Sequence, residues 1–135
     1  MITNEDATIA WIAYLKAQLP ITSLLNSPLE IKELEFQGDS FLYPGIRVSL
    51  DFYPGEDNCF PDGMTVYLDT FSEQKSSKEA VHITATILTI LRNLSSFTQN
   101  GVRFFMIHVA KITRPDRLES GVWKSTLEIN AKASG

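Results

Sequence analysis

The sequence predicts an α+β fold: a mixed, largely antiparallel sheet of about five strands with two main helices, in the order α-β-β-β-α-β-β. Three strand-like segments follow one another ahead of an amphipathic helical segment, and two long strand-like segments joined by a turn close the chain. Consecutive strands without intervening helices favour antiparallel pairing. The helix between the third and fourth strands is the candidate crossover.

The first helix is predicted to begin near Thr3 or Asn4. Either residue can cap it, and Glu5 and Asp6 in the first turn favour the helix dipole. Pro20 is expected to end the helix or weaken it sharply. The predicted apolar stripe comprises Ile9, Trp11, Ile12, Leu15 and Leu19.

Three strands are predicted between this helix and the next. Residues 31–36 form a charged strand, and residues 64–72 form the third. The strand at 45–53 has the clearest period-two alternation, so one face is expected to be buried and the other wet or paired. Residues 53–63 between the second and third strands form a long acidic loop, and long loops are often functional.

The second helix is predicted from a capping box, in which Ser76 caps the helix and Glu79 reaches back to its backbone. Its apolar positions recur at helical spacing: Ala80, Ile83, Ile87, Ile90, Leu91 and Leu94. A long strand at 102–113 follows. A turn then begins at Arg114 and closes at Gly121, and the strand at 122–133 pairs back.

The strand at 102–113 is apolar at successive positions. Strict alternation would place Val102, Phe104 and Met106 on one face and Phe105, Ile107 and Val109 on the other. Two helices cover roughly one face of a sheet of this size. The second face therefore needs cover, and two kinds remain open. One is the first helix or a folded-back loop; the other is another subunit, because exposed apolar patches usually mark contacts.

Composition excludes several classes of protein. The chain of 135 residues suits one domain, spanning 1–135, and a formal net charge of -4 argues against general nucleic-acid binding. With Cys59 alone, an intrachain disulfide is impossible. The acidic N-terminus argues against a signal peptide, and no apolar run is long enough to span a membrane. Synthesis in the cytoplasm is expected.

No catalytic, cofactor-binding or metal-binding residues are predicted. His82 and His108 lack metal-ligand spacing with Cys59, whose acidic neighbours would raise a thiol pKa. Glu33 and Glu35 share a strand face, where surface charges are far commoner than a catalytic pair. We therefore expect no enzyme activity.

A modest basic cluster lies at the last turn of the chain. It comprises Lys111, Arg114, Arg117 and Lys124. A solvated turn is the default interpretation of such a cluster, and contact with an acidic partner or DNA is the alternative.

Several short segments carry a resemblance to a known family. They are V-Y-L-D-T-F-S at 66–72, K-E-A at 78–80 followed by Ile83 and Ile87, the strand at 105–114 that runs into an arginine turn, and Gly121-Val122-Trp123 followed by Leu127-Glu128-Ile129. With the opening helix and Pro44 before the second strand, they resemble the tail-terminator, or tail-completion, proteins of long-tailed bacteriophages. The resemblance covers most of the chain in layout.

The resemblance implies a structural virion protein at the head-proximal end of the tail. Such a protein forms a hexameric ring on the tail tube, stops tube polymerisation and presents the surface that joins the head. Its partners would be further copies of itself, the tail-tube protein and a head–tail connector or neck protein. DNA would pass through the ring without sequence-specific binding, and no cofactor or membrane would be involved.

Candidate partner or subunit contacts come from the acidic loop, the apolar strand and the last turn, because loops carry recognition. They are Glu56, Asp57, Phe60, Asp62, Phe105, Ile107, Arg114 and Arg117. Two alternatives remain open: another phage neck or head–tail connector protein, and a small non-phage protein-binding module.

Overall fold

The structure is a computed structural model that describes residues 2–25, 30–34, 42–53 and 62–134. The helices are α1 (Asn4–Lys16), α2 (Leu19–Thr22) and α3 (Lys78–Arg92). The strands are β1 (Ile31–Glu33), β2 (Gly45–Tyr53), β3 (Asp62–Ser72), β4 (Ser96–Gln99), β5 (Val102–Ile112), β6 (Asp116–Arg117) and β7 (Trp123–Ser134). The predicted α+β class is confirmed; the short elements α2, β4 and β6 are additional.

The strands form one mixed sheet in the order β1-β2-β3-β7-β5-β4, with β6 paired to β7. The pair β1–β2 is parallel, and the other pairs are antiparallel. The last strand, β7, inserts between β3 and β5, so that α3 carries the chain across it. This arrangement places β1 and β2 at one end of the sheet and β5 and β4 at the other.

The helices lie on one face of the sheet and bury a single apolar cluster. Alternate residues of the central strands point into it, as a period of two requires. Its largest fully buried side chains include Trp11, Leu15, Ile46, Val48, Leu68, Ile83, Ile87, Phe104, Leu127 and Ile129. The alternation predicted for residues 45–53 is confirmed on this side of β2.

Helix α1 begins with a capping box made by Thr3 and Asp6. The Asp6 backbone N–H donates to the Thr3 hydroxyl over 3.0 Å, and the Asp6 carboxylate accepts from the Thr3 N–H over 3.1 Å. Two hydrogen bonds lower the pKa of Asp6 below its usual value. The one from the Thr3 backbone has the larger effect, and the one with the Thr3 side chain has the smaller. The predicted cap at Thr3 is therefore confirmed.

The apolar stripe of α1 is rotated from the predicted one. Ile9 and Leu19 are exposed, and the buried apolar positions are Ala7, Ala10, Trp11, Tyr14 and Leu15. These positions recur at spacings of three and four residues, as one helix face demands. The two alanines lie outside the predicted stripe, and their small side chains permit close approach of α1 to the sheet.

Helix α3 has the predicted buried face but not the predicted capping box. Ser77 is the N-cap and makes no side-chain cap hydrogen bond. Glu79 instead accepts a 2.7 Å hydrogen bond from the hydroxyl of Ser72, a fully buried residue at the end of β3. Ser76 Oγ accepts only a 3.4 Å hydrogen bond from Lys78 N–H. Glu79 thus ties the helix start to the sheet rather than to its own cap.

We expect Ser72→Ala to lower the free energy of unfolding by about 1–3 kcal/mol, because the substitution removes a hydrogen bond to a charged group. Ser76→Ala is the matched control and should change it by less than about 0.5 kcal/mol, as an exposed substitution without a strong contact. Urea denaturation of both variants gives the two values. Equal losses would contradict the assignment of the Glu79 contact.

The first strand is shorter than predicted, since it ends at Glu33; Glu35 and Phe36 lie outside the described residues. Its neighbour β2 carries a buried charge, Arg47, which is only 6% exposed. The Arg47 guanidinium lies 3.3 Å from the buried Glu30 carboxylate and donates to the Glu30 carbonyl over 3.0 Å. At this point, the polar side of β2 is therefore buried and ion-paired instead of exposed to solvent.

Strand β5 departs from regular alternation. Its pairing with β7 shifts between Phe105 and His108, and Met106, with φ at +52°, lies at this irregularity. Met106 and Ile107 together lie opposite Ala131, which is a β-bulge. The bulge turns Ile107 into the core beside Phe104 and leaves Met106 63% exposed. The predicted separation of Phe104 and Ile107 onto opposite faces is wrong.

Candidate protein-contact sites

The edge of the sheet at β5 is only partly covered. Strand β4 pairs with residues 102–105 of β5, and the Ile107 N–H makes a longer 3.5 Å hydrogen bond to the Ser95 carbonyl. Within the described ranges, no strand pairs with the outer edge of residues 108–112. Uncovered strand edges are templates for pairing with another chain.

A groove of about 480 Å³ lies between this edge and the C-terminal half of α3. We call it the β5-edge groove. Its lining is Leu88, Leu91, Arg92, Leu94, Ile107, His108, Val109, Ala110, Lys111 and Ile112. The charged residues of this set are the cations Arg92 and Lys111, and neither forms an ion pair with a described residue. Ile112 is 49% exposed. Such a surface suits an apolar side chain flanked by carboxylates.

The opposite edge of the sheet has a second groove of about 490 Å³. Strand β1 pairs only with residues 46–48 of β2, so that residues 49–53 extend past it. We call this the β2-edge groove, and its lining is Asn4, Glu5, Thr8, Glu33, Leu34, Val48, Ser49 and Leu50. Its charged residues are both acidic, and Leu34 is 46% exposed.

The side chain of Asn4 joins α1 to this second edge. Its amide donates to the Leu50 carbonyl over 3.1 Å, which fixes the start of α1 across β2. Glu5 and Thr8 follow on the same helix and line the groove with Glu33. Neither Glu5 nor Glu33 forms an ion pair with a described residue. The groove is therefore acidic at its rim.

The face of the sheet opposite the helices is largely polar. Tyr67 donates a 2.9 Å hydrogen bond to Asp51, which raises the pKa of Tyr67, and Thr126 donates to Asp69 over 2.6 Å. Asn130 accepts from Thr65 over 3.0 Å. Such polar cross-strand pairs stabilise a sheet face without apolar cover. The need for a cover over a doubly apolar strand, expected from the sequence, does not arise here.

The structure separates the predicted contact residues. Ile107 is buried in the lining of the β5-edge groove, whereas Phe105 is half-buried on the opposite face, 5.3 Å from the Arg103 guanidinium carbon. Arg114 is exposed beyond β5, and the Arg117 guanidinium lies over the Trp123 ring at 5.9 Å. Strand β3 begins at Asp62, two residues before the predicted start at Met64. Glu56, Asp57 and Phe60 lie outside the described residues.

The candidate chemical residues are also dispersed. His82 is exposed on α3, and His108 lies within 3.5 Å of Asn130 on β7. Glu33 is exposed, and Cys59 lies outside the described residues. Across residues 2–25, 30–34, 42–53 and 62–134, no group of three or more His, Cys, Asp or Glu could hold a metal ion. No helix in these ranges combines the length and apolar character needed to cross a membrane.

The structure is that of an α+β protein with one groove near each end of its sheet. No protein-family model matches the sequence, and no curated protein matches it. Among solved structures, the fold is similar to a chain in the structure titled "Virion of native gene transfer agent (GTA) particle", with a TM-score of 0.66. The sequence identity is 14%, and the match covers 95% of this chain and 94% of the other.

Proposed function

We propose that this protein is a structural component of a phage or phage-like virion, and that it acts there as a ring-forming tail terminator. The observation that carries the proposal is the fold similarity to a chain of a gene transfer agent virion, which spans nearly the full length of both chains. The sequence motifs that resemble tail-terminator proteins support the finer role.

The proposed mechanism is surface recognition, without an enzymatic step. A heterologous interface between identical subunits closes into a ring when the rotation between neighbours permits it. One face of that ring binds the end of the tail tube, and the other face presents no surface for further tube subunits. Tube growth therefore stops, and the exposed face is available to a connector or neck protein of the head.

The face contacts in this proposal come from three sets of the predicted contact residues. The turn that follows β5 carries Arg114 and Arg117, both exposed, and we assign it to the contact with the tube or the neck. Phe105, on the polar face of the sheet, is a second candidate. The acidic segment with Glu56, Asp57, Phe60 and Asp62 is the third candidate.

The native mass of the purified protein tests the ring. Light scattering across a concentration series should show a species of about six times the chain mass of 15.2 kDa, with a central channel in negative-stain images. Tail tubes incubated with the protein should carry one ring at one end, and those tubes should no longer elongate when tube subunits are added. Untreated tubes are the control.

Elongation of protein-treated tubes at the same rate as untreated tubes would contradict the terminator role. Binding to head or neck complexes without binding to tube ends would favour a connector protein instead. A monomer that binds neither would contradict the virion assignment as a whole.

A further inference from the structure

The linings of the two grooves carry opposite charges. The β5-edge groove is lined by the cations Arg92 and Lys111, and the β2-edge groove by the carboxylates Glu5 and Glu33; none of the four forms an ion pair with a residue that the structure describes. Each groove also presents one half-exposed aliphatic side chain, Ile112 or Leu34. The two surfaces are therefore complementary in sign and similar in apolar content.

The strand segments that no described strand covers lie at these same two places. Residues 108–112 of β5 extend past β4, and residues 49–53 of β2 extend past β1. Exposed edges of this kind are where a further strand adds to a sheet. On the β2 side, the amide of Asn4 already occupies the Leu50 carbonyl, so that side-chain contacts must supply part of the recognition.

We infer that these edges bind each other between two copies of this chain: the β2-edge groove of one copy docks on the β5-edge groove of the next. Charge favours this head-to-tail arrangement over a symmetric one, since two identical edges would bring like charges together. A row of copies joined in this way has a free β2 edge at one end and a free β5 edge at the other. The ring closes when these two edges bind each other. The inference deepens the proposed ring and rests on it.

Charge reversal of each edge tests the inference. One variant carries Arg92→Glu and Lys111→Glu, and the other carries Glu5→Lys and Glu33→Lys. In each variant alone, both edges have the same sign, so the high-mass species of the wild type should be lost. A one-to-one mixture pairs every acidic edge with a basic edge and should restore it, with the two variants alternating around an even-numbered ring.

The matched control is Lys75→Glu with Lys78→Glu, which reverses two exposed cations outside both grooves and should leave the native mass unchanged. Circular dichroism and thermal melting of each variant verify folding. Restoration by mixing is itself a readout that a misfolded variant could not produce. The wild-type species should also dissociate as salt is raised, because exposed charges are screened.

Three outcomes would overturn the inference: a wild type that stays monomeric throughout the concentration series, reversed variants that keep the wild-type mass, or a mixture that stays monomeric. The second outcome leaves the proposed ring intact and moves its interface elsewhere. Conversely, a mixture that reforms the ring without stopping tube growth would contradict the terminator role and support the edge contact. Failures of the two proposals are thus distinguishable.

Discussion

Replacing Phe104 with alanine is expected to lower the free energy of unfolding by about 3–5 kcal/mol, the usual cost of removing a buried aromatic side chain. Phe104 is fully buried, with its ring centroid 5.4 Å from Trp11 and 4.9 Å from Phe97. Phe97 in turn lies 4.0 Å from Tyr14, so this cluster joins α1 to β4 and β5. Its loss would loosen the first helix from the sheet.

The matched control is Phe105→Ala, one residue along the same strand. Phe105 points to the opposite face, where its ring is half-buried beneath Arg103. Its removal should cost less, about 1–2 kcal/mol, because part of its surface stays in contact with solvent in the folded protein. Urea denaturation measures both. Similar losses for the two variants would contradict the assignment of the two residues to opposite faces.

The regular parts of the fold could be predicted from local pattern. Strand β2 has the predicted bounds, because alternation between apolar and polar residues requires only a period of two. The buried face of α3 was predicted for the same reason, with Ile83, Ile87 and Leu91 at helical spacing. In both elements, the buried residues follow from the geometry of a single segment.

The bulge in β5 could not be predicted in this way. Positive φ at Met106 is unusual for a residue other than glycine, and no glycine or turn motif marks the position in the sequence. The pairing with β7 supplies the reason, since the extra residue brings Ile107 onto the core face beside Phe104. Burial of Ile107 favours the irregular backbone. A pattern of strict alternation cannot predict such a bulge.

The α3 cap shows a second limit of local pattern. Ser76 and Glu79 have capping-box spacing, but Glu79 finds a buried partner in Ser72 on β3. The hydrogen bond between Ser72 on β3 and Glu79 on α3 therefore takes the place of the predicted bond from Glu79 to the backbone of the helix start. Such competition becomes visible only when the packing of α3 on the sheet is known.

The candidate site was predicted only in part. Ile107 was identified from its apolar strand, and the other side of the β5-edge groove comes from α3, more than ten residues away in sequence. The cations Arg92 and Lys111 line the same groove because β7 inserts between β3 and β5 and leaves β5 near the edge of the sheet. Sheet order is a property of the whole chain, so spacing between residues could not supply this groove.

Arg47→Met is expected to lower the free energy of unfolding by about 3–5 kcal/mol, since it removes the buried cation that pairs with the buried Glu30 carboxylate. Arg47 binds Glu30 through its carboxylate, 3.3 Å away, and through its carbonyl, 3.0 Å away. Lys32 lies 3.5 Å from the same carboxylate but is more exposed. It supplies only part of the lost interaction.

The double substitution Arg47→Met with Glu30→Met separates the charge pair from ordinary packing. Methionine in both places removes both buried charges, and replacement of a whole pair by apolar side chains is often neutral or stabilising. We therefore expect the double variant to be more stable than Arg47→Met alone. Lys32→Met is the control for a partly exposed ion pair, with an expected loss of at most about 1 kcal/mol. Urea denaturation of the wild type, Arg47→Met, Glu30→Met and the double variant gives the coupling energy, and additive losses would show that Arg47 acts through its packing and backbone contacts instead of its charge.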